Sequence, residues 1–302
     1  PDEIYSHASI QGIRKSGLNS VVLGVLPTPA VALYQLSQKA AGAFVLTASH
    51  NPADQNGIKI FFGHTGFKLF PEDDKRLTKT IQSTNFKFLK KTNLIGEVID
   101  DAATAIEFFQ KVSGDPLNSW ITGRSLQEVT VIIDAANGAF IPLIKYIIQN
   151  FGDARVIACN TSLEKGINQN CGVADLEGRH IIEAKELEQE PLCHAIALKR
   201  ILEEGRTKHQ NKNNKGITTG LVLDGDGDRC FMTVYDPVKD RIIIIDGDGQ
   251  AILQSLWLKK NQKCRDGQII VNTVESNLEA SRSVMENGLK LKQSVVGDKW
   301  IL

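Results

Sequence analysis

The chain alternates short β-branched runs with longer segments of helical periodicity. This order is typical of α/β units, in which ligand sites lie at the carboxyl ends of the strands. We therefore predict successive α/β domains with mixed sheets covered by helices. Strands are predicted at Val21–Val25, Ala43–Leu46, Ile58–Phe62, Val129–Asp134, Arg155–Cys159, Gly220–Leu223, Cys230–Tyr235, Arg241–Ile245 and Gln268–Asn272. Helices are predicted at Ala30–Ala41, Pro71–Ser83, Asp101–Val112, Phe140–Phe151, His194–Glu204, Gly249–Lys259 and Glu275–Asn287.

Three segments suggest boundaries. Ser113–Gly123 is polar and turn-rich, and near Asp246 a strand gives way to a new helix and strand. We therefore expect domains at 1–116, 117–245 and 246–302, the first and last of them incomplete. The third segment, Arg206–Gly216, is rich in Lys, Asn, His and Gln, and predicts a solvated surface loop. Nucleic-acid binding is disfavoured there because aromatic residues are absent.

Composition narrows the partners and the compartment. The 302 residues carry 35 basic and 35 acidic side chains, so no net charge attracts nucleic acid or anionic lipid. No apolar run approaches the roughly 20 residues of a membrane helix, and no secretory signal opens the chain. We expect a cytoplasmic protein with no disulfide framework, because the cysteines are odd in number, widely spaced and without a CxxC pair: Cys159, Cys171, Cys193, Cys230 and Cys264.

The segment TASHNPADQNGIKIFF, Thr47–Phe62, follows a predicted strand. Its Asn-Pro pair enforces a turn, which places Ser49 in an exposed loop at the strand's carboxyl end. His50 and Lys59 add an imidazole and an ammonium group within a short span, and such groups suit phosphate. The residues alone leave an equal alternative, an ordinary Asn/Pro turn that happens to contain serine and histidine.

A second segment, LVLDGDGDRCFMTVYD, places Asp224, Asp226 and Asp228 after a buried strand. Three like charges this close together favour a bound cation, and the alternating glycines let the carboxylates converge. Hard oxygen ligands select Mg²⁺ or Ca²⁺ over zinc. Arg229 adds a fixed cation suited to phosphate.

Other interpretations of the aspartate segment are an acidic glycine-rich turn, an EF-hand and a phosphatase of the haloacid-dehalogenase type. The EF-hand fails, because loop positions six and twelve hold Arg229 and Tyr235. The phosphatase would use Asp224 as nucleophile. That interpretation gives the Ser49 loop no task and does not predict a third aspartate followed by arginine.

Together the two segments resemble the α-D-phosphohexomutase family. TASHNP with NGIK is similar to its phosphoserine loop, and DGDGDR to its metal loop. Further segments are similar to the first-domain turn, to two stretches of the second domain and to the third-domain substrate loop; they are LPTPAV (Leu26–Val31), DAANGA (Asp134–Ala139), NQNCGVAD (Asn168–Asp175) and VGDKW (Val296–Trp300). The resemblance runs from about Ser20 to the C-terminus.

The resemblance implies a Mg²⁺-dependent intramolecular phosphotransferase, an isomerase. Ser49 would be the phosphoryl carrier, and its phosphate oxygen would bind Mg²⁺ together with the three aspartates. The carrier would phosphorylate a hexose phosphate to a hexose 1,6-bisphosphate, which reorients and returns its other phosphate. His50 and Lys59 would serve proton transfer and charge stabilisation, and Arg229 would orient phosphate.

The resemblance also implies that a loop of the third domain faces the sugar. In this chain that loop contains Gly297, Asp298 and Lys299. The segment Asp246–Gly249 is similar to the opening of the third domain, so we expect no second metal loop there. Asp248 is predicted to cap the following helix. Asp73 and Asp74 are predicted to be first-turn charges that suit the helix macrodipole.

The departures from the family concern the two ends. No counterpart is found for the family's opening glycine-rich segment, its later sugar-discriminating loop or its fourth domain. We therefore expect a truncated chain that is inactive in full turnover on its own. The motifs are most similar to bacterial phosphoglucosamine mutases, with phosphomannomutase/phosphoglucomutase second. A non-catalytic sugar-phosphate-binding relative is a further alternative, which the intact serine and aspartates disfavour. The sequence gives no indication of an oligomeric state.

Overall fold

The computed structural model describes residues 2–49, 51, 55–63, 65–85, 95–115, 125–189, 196–210, 216–261 and 269–301. Helices and strands alternate along these residues, and a mixed six-stranded sheet lies at the centre of the fold. The predicted fold class, α/β with mixed sheets covered by helices, is confirmed. The division into three domains stays a prediction.

Within its described residues, the first unit (2–115) contains two small sheets and four helices. Its elements are α1 (Asp2–Lys15), β1 (Ser20–Val22), α2 (Thr28–Gln38), β2 (Gly42–Leu46), β3 (Ile58–Phe62), α3 (Pro71–Ser83), β4 (Val98–Asp100) and α4 (Ala102–Gly114). Strands β1 and β4 pair in parallel, and β2 and β3 form an antiparallel pair. Helices α2 and α4 pack together through Ala30, Tyr34 and Ala105.

The second unit, residues 125–245, is built on one sheet of order β6-β5-β8-β9-β10-β7. Strands β6, β5 and β8 run parallel to one another. The pairs β8–β9, β9–β10 and β10–β7 are antiparallel. The elements are β5 (Val129–Asp134), a 3₁₀ turn (Ile141–Leu143), α5 (Ile144–Asn150), β6 (Arg155–Cys159), a 3₁₀ turn (Ala174–Leu176), β7 (Ile181–Glu183), α6 (Ala184–Gln189), α7 (Ile196–Gln210), β8 (Ile217–Leu223), β9 (Cys230–Asp236) and β10 (Arg241–Ile245).

Both faces of this sheet are buried. Side chains alternate along a strand, so Ile132 of β5 packs in one apolar cluster while Val131 and Ile133 pack in the other. Helix α7 covers the first face with Ile201, and α5 covers the second with Ile144. The rigid sheet fixes the ends of β5 and β8, and the candidate site begins where these strands end.

The third unit, residues 246–301, continues directly from β10. It contains α8 (Gly247–Lys260), β11 (Ile269–Thr273), α9 (Leu278–Glu286), β12 (Lys290–Ser294) and α10 (Asp298–Ile301). Strands β11 and β12 pair in parallel. The amide of Gln250 in α8 donates to the carbonyl oxygens of Cys230, at 2.6 Å, and Ile245, at 3.1 Å, which joins this unit to the central sheet.

Two local predictions are wrong. Residues Arg206–Gln210 belong to helix α7 rather than to a loop, because four hydrogen bonds hold Arg206 to Asp240 and Glu188. Residues 211–215 of the same segment lie outside the described residues. The cap of α8 is Asp246 rather than Asp248, since Oδ1 of Asp246 accepts the amide of Gly249 at 2.9 Å.

Several short elements escaped the sequence patterns. Strand β12 has the sequence KLKQS, which carries no apolar alternation, and pairing with β11 forms it. Helix α1 is mostly exposed, and strands β4 and β7 have three residues each. The acidic first turn of α3, with Asp73 and Asp74, is as predicted.

Candidate active site

The three aspartates lie in the turn that follows β8. One carboxylate oxygen from each of Asp224, Asp226 and Asp228 lies within 4.8 Å of the other two, and Asp224 and Asp226 are buried. We call Asp224–Asp228 the metal loop. Its convergence was predicted from the alternating glycines, and Gly227 does adopt a left-handed backbone, with φ of 70°.

Backbone amides fix Asp224 at the start of the metal loop. Its Oδ1 accepts hydrogen bonds from the amides of Asp228 and Arg229, both at 3.0 Å. Its Oδ2 accepts the hydroxyl of Ser49 at 3.1 Å. Both oxygens are therefore engaged, and the residue has no exposed surface. This arrangement disfavours Asp224 as the nucleophile of a phosphatase.

Ser49 reaches the metal loop from the loop between β2 and β3. Its backbone is left-handed, with φ of 58°, and its amide donates to Oγ1 of Thr47 at 2.9 Å. The serine hydroxyl therefore points at the aspartates. The residues alone did not predict this meeting, which the family resemblance implied. His50 lies outside the described residues, so its prediction is untested.

Lys59, in β3, places its ammonium group between two of the aspartates. Its Nζ donates to Oδ2 of Asp226 and, at 2.7 Å, to Oδ2 of Asp228. Burial alone would lower the pKa of Lys59, but the hydrogen bonds to the two carboxylates outweigh it and raise the pKa. The lysine is therefore protonated and neutralises part of the charge of the cluster.

The two buried carboxylates have opposite shifts. Burial raises the pKa of Asp224 to about 7, and the neighbouring charges of Asp226 and Asp228 add to the shift. Burial also acts to raise the pKa of Asp226, but hydrogen bonds from Lys59 and Thr28 reverse the effect and lower it. Removing the lysine would therefore leave the cluster with uncompensated negative charge.

Two residues of the site were missed at the sequence level. The hydroxyl of Thr28 donates to Oδ2 of Asp226, and its amide donates to the carbonyl oxygen of Asp226 at 2.8 Å. Thr28 begins α2, so the positive end of that helix points at the metal loop. Asn168 contacts the backbone of Ser49. Thr28 lies in LPTPAV and Asn168 in NQNCGVAD. Both segments carry the family resemblance, and that resemblance was the sequence feature that could have indicated these residues.

The donor set fits a hard divalent cation. It consists of carboxylate oxygens, which Mg²⁺ and Ca²⁺ prefer. Oδ1 of Asp226 is buried and has no hydrogen-bond partner within the described part of the chain. A buried, unpaired carboxylate oxygen is costly unless a cation or proton meets it. The three aspartates could therefore hold a metal ion.

The other predicted site residues are placed differently. Arg229 follows the metal loop, but its guanidinium pairs with Glu177 at the surface. In the third unit, Gly297 has φ of 119°, and Nζ of Lys299 donates to the carbonyl oxygen of Leu69 at 2.8 Å. The side chain of Asp298 lies outside the described residues. The substrate loop thus contacts the first unit, and its role stays a prediction.

Helices long and apolar enough to cross a membrane do not occur within the described ranges. Cys159 and Cys230 carry free thiols.

Two family models match the chain. Residues 3–88 match the phosphoglucomutase/phosphomannomutase alpha/beta/alpha domain I, and residues 246–302 match domain III of the same family. The phosphoglucosamine mutase of Carboxydothermus hydrogenoformans is 30% identical over 294 residues, which are 96% of this chain and 56% of that protein. The phosphoglucosamine mutase of Clostridioides difficile is 30% identical over 295 residues, 97% of this chain and 56% of that protein. The chain thus spans about half the length of these curated relatives.

Solved structures agree on the fold. A phosphoglucomutase/phosphomannomutase family protein from Burkholderia thailandensis superposes with a TM-score of 0.65 at 21% identity, covering 98% of this chain and 56% of that one. The N-acetylphosphoglucosamine mutase of Aspergillus fumigatus, in complex with GlcNAc-6P and magnesium, superposes with a TM-score of 0.54 at 16% identity. This match covers 91% of this chain and 59% of that one. A variant of that enzyme, in complex with glucose 1,6-bisphosphate, superposes with a TM-score of 0.51 at 14% identity, and the match covers 90% of this chain and 59% of that one.

Proposed function

We propose that this chain, whose residues 3–88 and 246–302 match models of domains I and III of the phosphoglucomutase/phosphomannomutase family, supplies the phosphoserine and metal centre of a phosphohexomutase. The reaction would interconvert a hexose 6-phosphate and a hexose 1-phosphate through phosphorylated Ser49 and a hexose 1,6-bisphosphate. Because the chain spans about half of its curated relatives, the activity of the whole protein is part of this proposal, as are the three domains 1–116, 117–245 and 246–302.

The observation that carries the proposal is the meeting of Ser49, Lys59 and the metal loop. The serine hydroxyl lies 3.1 Å from Asp224, and the lysine contacts Asp226 and Asp228. A carrier hydroxyl, a cation and a carboxylate cluster are the groups that phosphoryl transfer through a phosphoserine needs in one place. A non-catalytic relative would have no reason to keep all of them together.

In the proposed transfer, the bond between phosphorus and Oγ of Ser49 breaks as a sugar hydroxyl bonds to phosphorus. The sugar hydroxyl gives its proton to His50, and Oγ of Ser49 takes one from Lys59. Lys59 is protonated, so it is suited to supply a proton and to stabilise the transferring phosphoryl group. His50 is the other candidate for proton transfer. Arg229 would orient the phosphate of the sugar after leaving Glu177, a surface pair that costs little to break.

Mg²⁺ is the metal we assign to this site. Asp224, Asp226 and Asp228 would hold it, together with a phosphate oxygen on Ser49. When bound, it would offset the charge of about −1.5 to −2 that phosphorylation adds. Lys59 now occupies two of the carboxylates, so it must release at least one of them when the cation binds. The magnesium in the Aspergillus fumigatus structure supports the choice of ion.

Glucosamine phosphate is the substrate that we propose. Phosphoglucosamine mutases are the relatives at 30% identity, and the ligands of the Aspergillus fumigatus enzyme are a hexosamine phosphate and a hexose bisphosphate. Gly297, Asp298 and Lys299 would face the sugar. A phosphomannomutase/phosphoglucomutase is the second candidate. We also place the protein in the cytoplasm, where thiols such as that of Cys159 stay reduced.

Donation of phosphate tests the proposed substrate. The chain, phosphorylated on Ser49, is incubated with Mg²⁺ and with glucosamine 6-phosphate, glucose 6-phosphate or mannose 6-phosphate. We expect glucosamine 6-phosphate to discharge the phosphoserine fastest and to appear as the bisphosphate. Equal discharge by all three sugars, or by water alone, would contradict the substrate assignment.

A further inference from the structure

Asn168 connects the Ser49 loop to the second unit. Its Nδ2 donates to the carbonyl oxygen of Ser49 at 2.6 Å and lies 3.5 Å from the carbonyl oxygen of Asn51. Asn168 comes from the segment between β6 and β7, more than one hundred residues away along the chain. The contact therefore joins two units at the proposed phosphoryl carrier.

The backbone of Ser49 needs such support. A left-handed conformation is unfavourable for a residue other than glycine, and it persists only where neighbouring groups hold it. Oγ1 of Thr47 accepts the amide of Ser49 at 2.9 Å, and Asn168 holds its carbonyl group. The peptide groups on both sides of Ser49 are thus fixed, and with them the direction of its side chain.

Asn168 is itself tightly fixed. Its backbone is left-handed, with φ of 56°, and its amide donates to the carbonyl oxygen of Ala136 at 3.0 Å. Its side chain lies in a slot between two glycines. A Cβ atom on Gly225 would lie 2.7 Å from Nδ2, and one on Gly172 would lie 3.3 Å from Oδ1. Asn168 therefore contacts the metal loop at Gly225 while it holds Ser49.

The oxygen of the Asn168 side-chain amide indicates why an asparagine stands at this position. Oδ1 of Asn168 is buried and meets no hydrogen-bond donor among the residues that the structure describes. An unpaired buried acceptor is unfavourable, so packing and solvation do not explain the choice of asparagine. The donor group Nδ2 does explain it, because that group reaches Ser49.

We propose that Asn168 is a positioning residue for the phosphoryl carrier. It sets the separation between Oγ of Ser49 and Asp224 by holding the Ser49 backbone against the metal loop. It acts through Ser49 and does not touch the substrate. The inference rests on the proposed function for its effect on phosphoryl transfer, while the contact itself can be tested without any chemistry.

Single-turnover phosphorylation of Ser49 by glucose 1,6-bisphosphate and Mg²⁺ tests the effect on transfer. Asn168→Asp keeps the shape of the side chain and tolerates the left-handed backbone, but it loses the donor. Asn168→Gly keeps the backbone freedom and removes the amide altogether. For both variants we expect the rate at saturating bisphosphate to fall on the order of 10- to 100-fold, as misplacement of a reacting atom does. The half-saturating bisphosphate concentration is expected to stay unchanged.

Asn170→Asp is the matched control. Asn170 lies in the same segment, has φ of 57° and is exposed, so the same chemical change there should leave the rate at the wild-type value. Equal rates for wild type, Asn168→Asp and Asn168→Gly would overturn the proposal. So would a matching loss of rate in Asn170→Asp, because the effect would then belong to the segment as a whole.

Hydrogen–deuterium exchange separates this inference from the proposed function. We expect the amides of Ser49 and Asn51 to exchange roughly fivefold faster in Asn168→Asp and Asn168→Gly, the effect of one lost hydrogen bond. Amides of β5 and β8 are expected to exchange as in the wild type. Unchanged exchange at the amides of Ser49 and Asn51 would overturn the role of Asn168. If exchange rises but wild-type Ser49 accepts no phosphate, the contact stands, and both the proposed function and the role in transfer fail.

Discussion

Ser49 and Asp224 are 175 positions apart in the chain, and Oγ of Ser49 lies 3.1 Å from Oδ2 of Asp224. The first residue follows β2 in the first unit, and the second follows β8 in the second unit. This contact brings a hydroxyl from one unit to a carboxylate cluster in another. The proposed activity therefore depends on how the two units meet, and the predictions below concern that junction.

Lys59→Gln is expected to lower the stability of the metal-free protein and to raise its affinity for a divalent metal ion. The ammonium group contacts Asp226 and Asp228, and hydrogen bonds to charged groups contribute about 1.5–3 kcal/mol each. We expect the free energy of unfolding to fall by about 2–3 kcal/mol in chelator. Affinity for Mn²⁺ should rise roughly tenfold, because a competing positive charge is gone.

Urea denaturation and Mn²⁺ titration by electron paramagnetic resonance measure these two effects. Lys75→Gln, an exposed position on α3, is the control and should change neither quantity. Weaker Mn²⁺ binding by Lys59→Gln would mean that the lysine supports the metal loop rather than competing with the cation.

The metal-free protein should lose stability as pH rises from about 4 to about 7. Burial raises the pKa of Asp224 to about 7, above its ordinary value of 3.8. Between these values the unfolded chain has released the proton and the folded chain still holds it, so stability falls with rising pH. The lowered pKa of Asp226 makes stability rise with pH instead, and this effect is confined to pH values below about the ordinary pKa of 3.8.

Denaturation in chelator across this pH range, for wild type and Asp224→Asn, measures the effect. The variant has no titrating group at this position, so its stability should decline less between pH 4 and pH 7. Parallel pH profiles for the two proteins would show that Asp224 does not carry the shift.

Gly227→Ala should destabilise the metal loop. Gly227 has φ of 70°, and a Cβ atom there would lie 2.5 Å from Cδ2 of Phe140 and 3.0 Å from Cβ of Pro27. Left-handed strain and overpacking together are expected to cost about 2 kcal/mol or more. Chemical denaturation gives the cost directly. Gly247→Ala is the matched control, since a Cβ atom at Gly247 meets nothing within 4 Å and should change stability by at most about 0.5 kcal/mol.

Local patterns predicted the parts of the site that follow a buried strand. Ser49 comes shortly after β2 and Asp224 directly after β8, so strand ends and turn residues were enough to place both in loops. The pattern could not tell that the two loops meet, and the resemblance supplied that expectation.

Long-range contacts account for the residues that were missed. Thr28 is separated from Asp226 by 198 positions, and Asn168 from Ser49 by 119. Neither residue has a local pattern that indicates chemistry. Arg206 shows the same limit for the fold, because its polar surroundings predicted a loop, whereas contacts with Asp240 and Glu188 hold it in a helix.

The most direct test of the central claim is the site of phosphorylation. The chain is incubated with Mg²⁺ and glucose 1,6-bisphosphate, and intact mass and phosphosite mapping are compared for wild type, Ser49→Ala and Ser255→Ala, a serine on α8. We predict one phosphate on Ser49 that resists hydroxylamine, is absent from Ser49→Ala and is kept in Ser255→Ala. A hydroxylamine-labile phosphate on Asp224, or no phosphate in the wild type, would contradict the account.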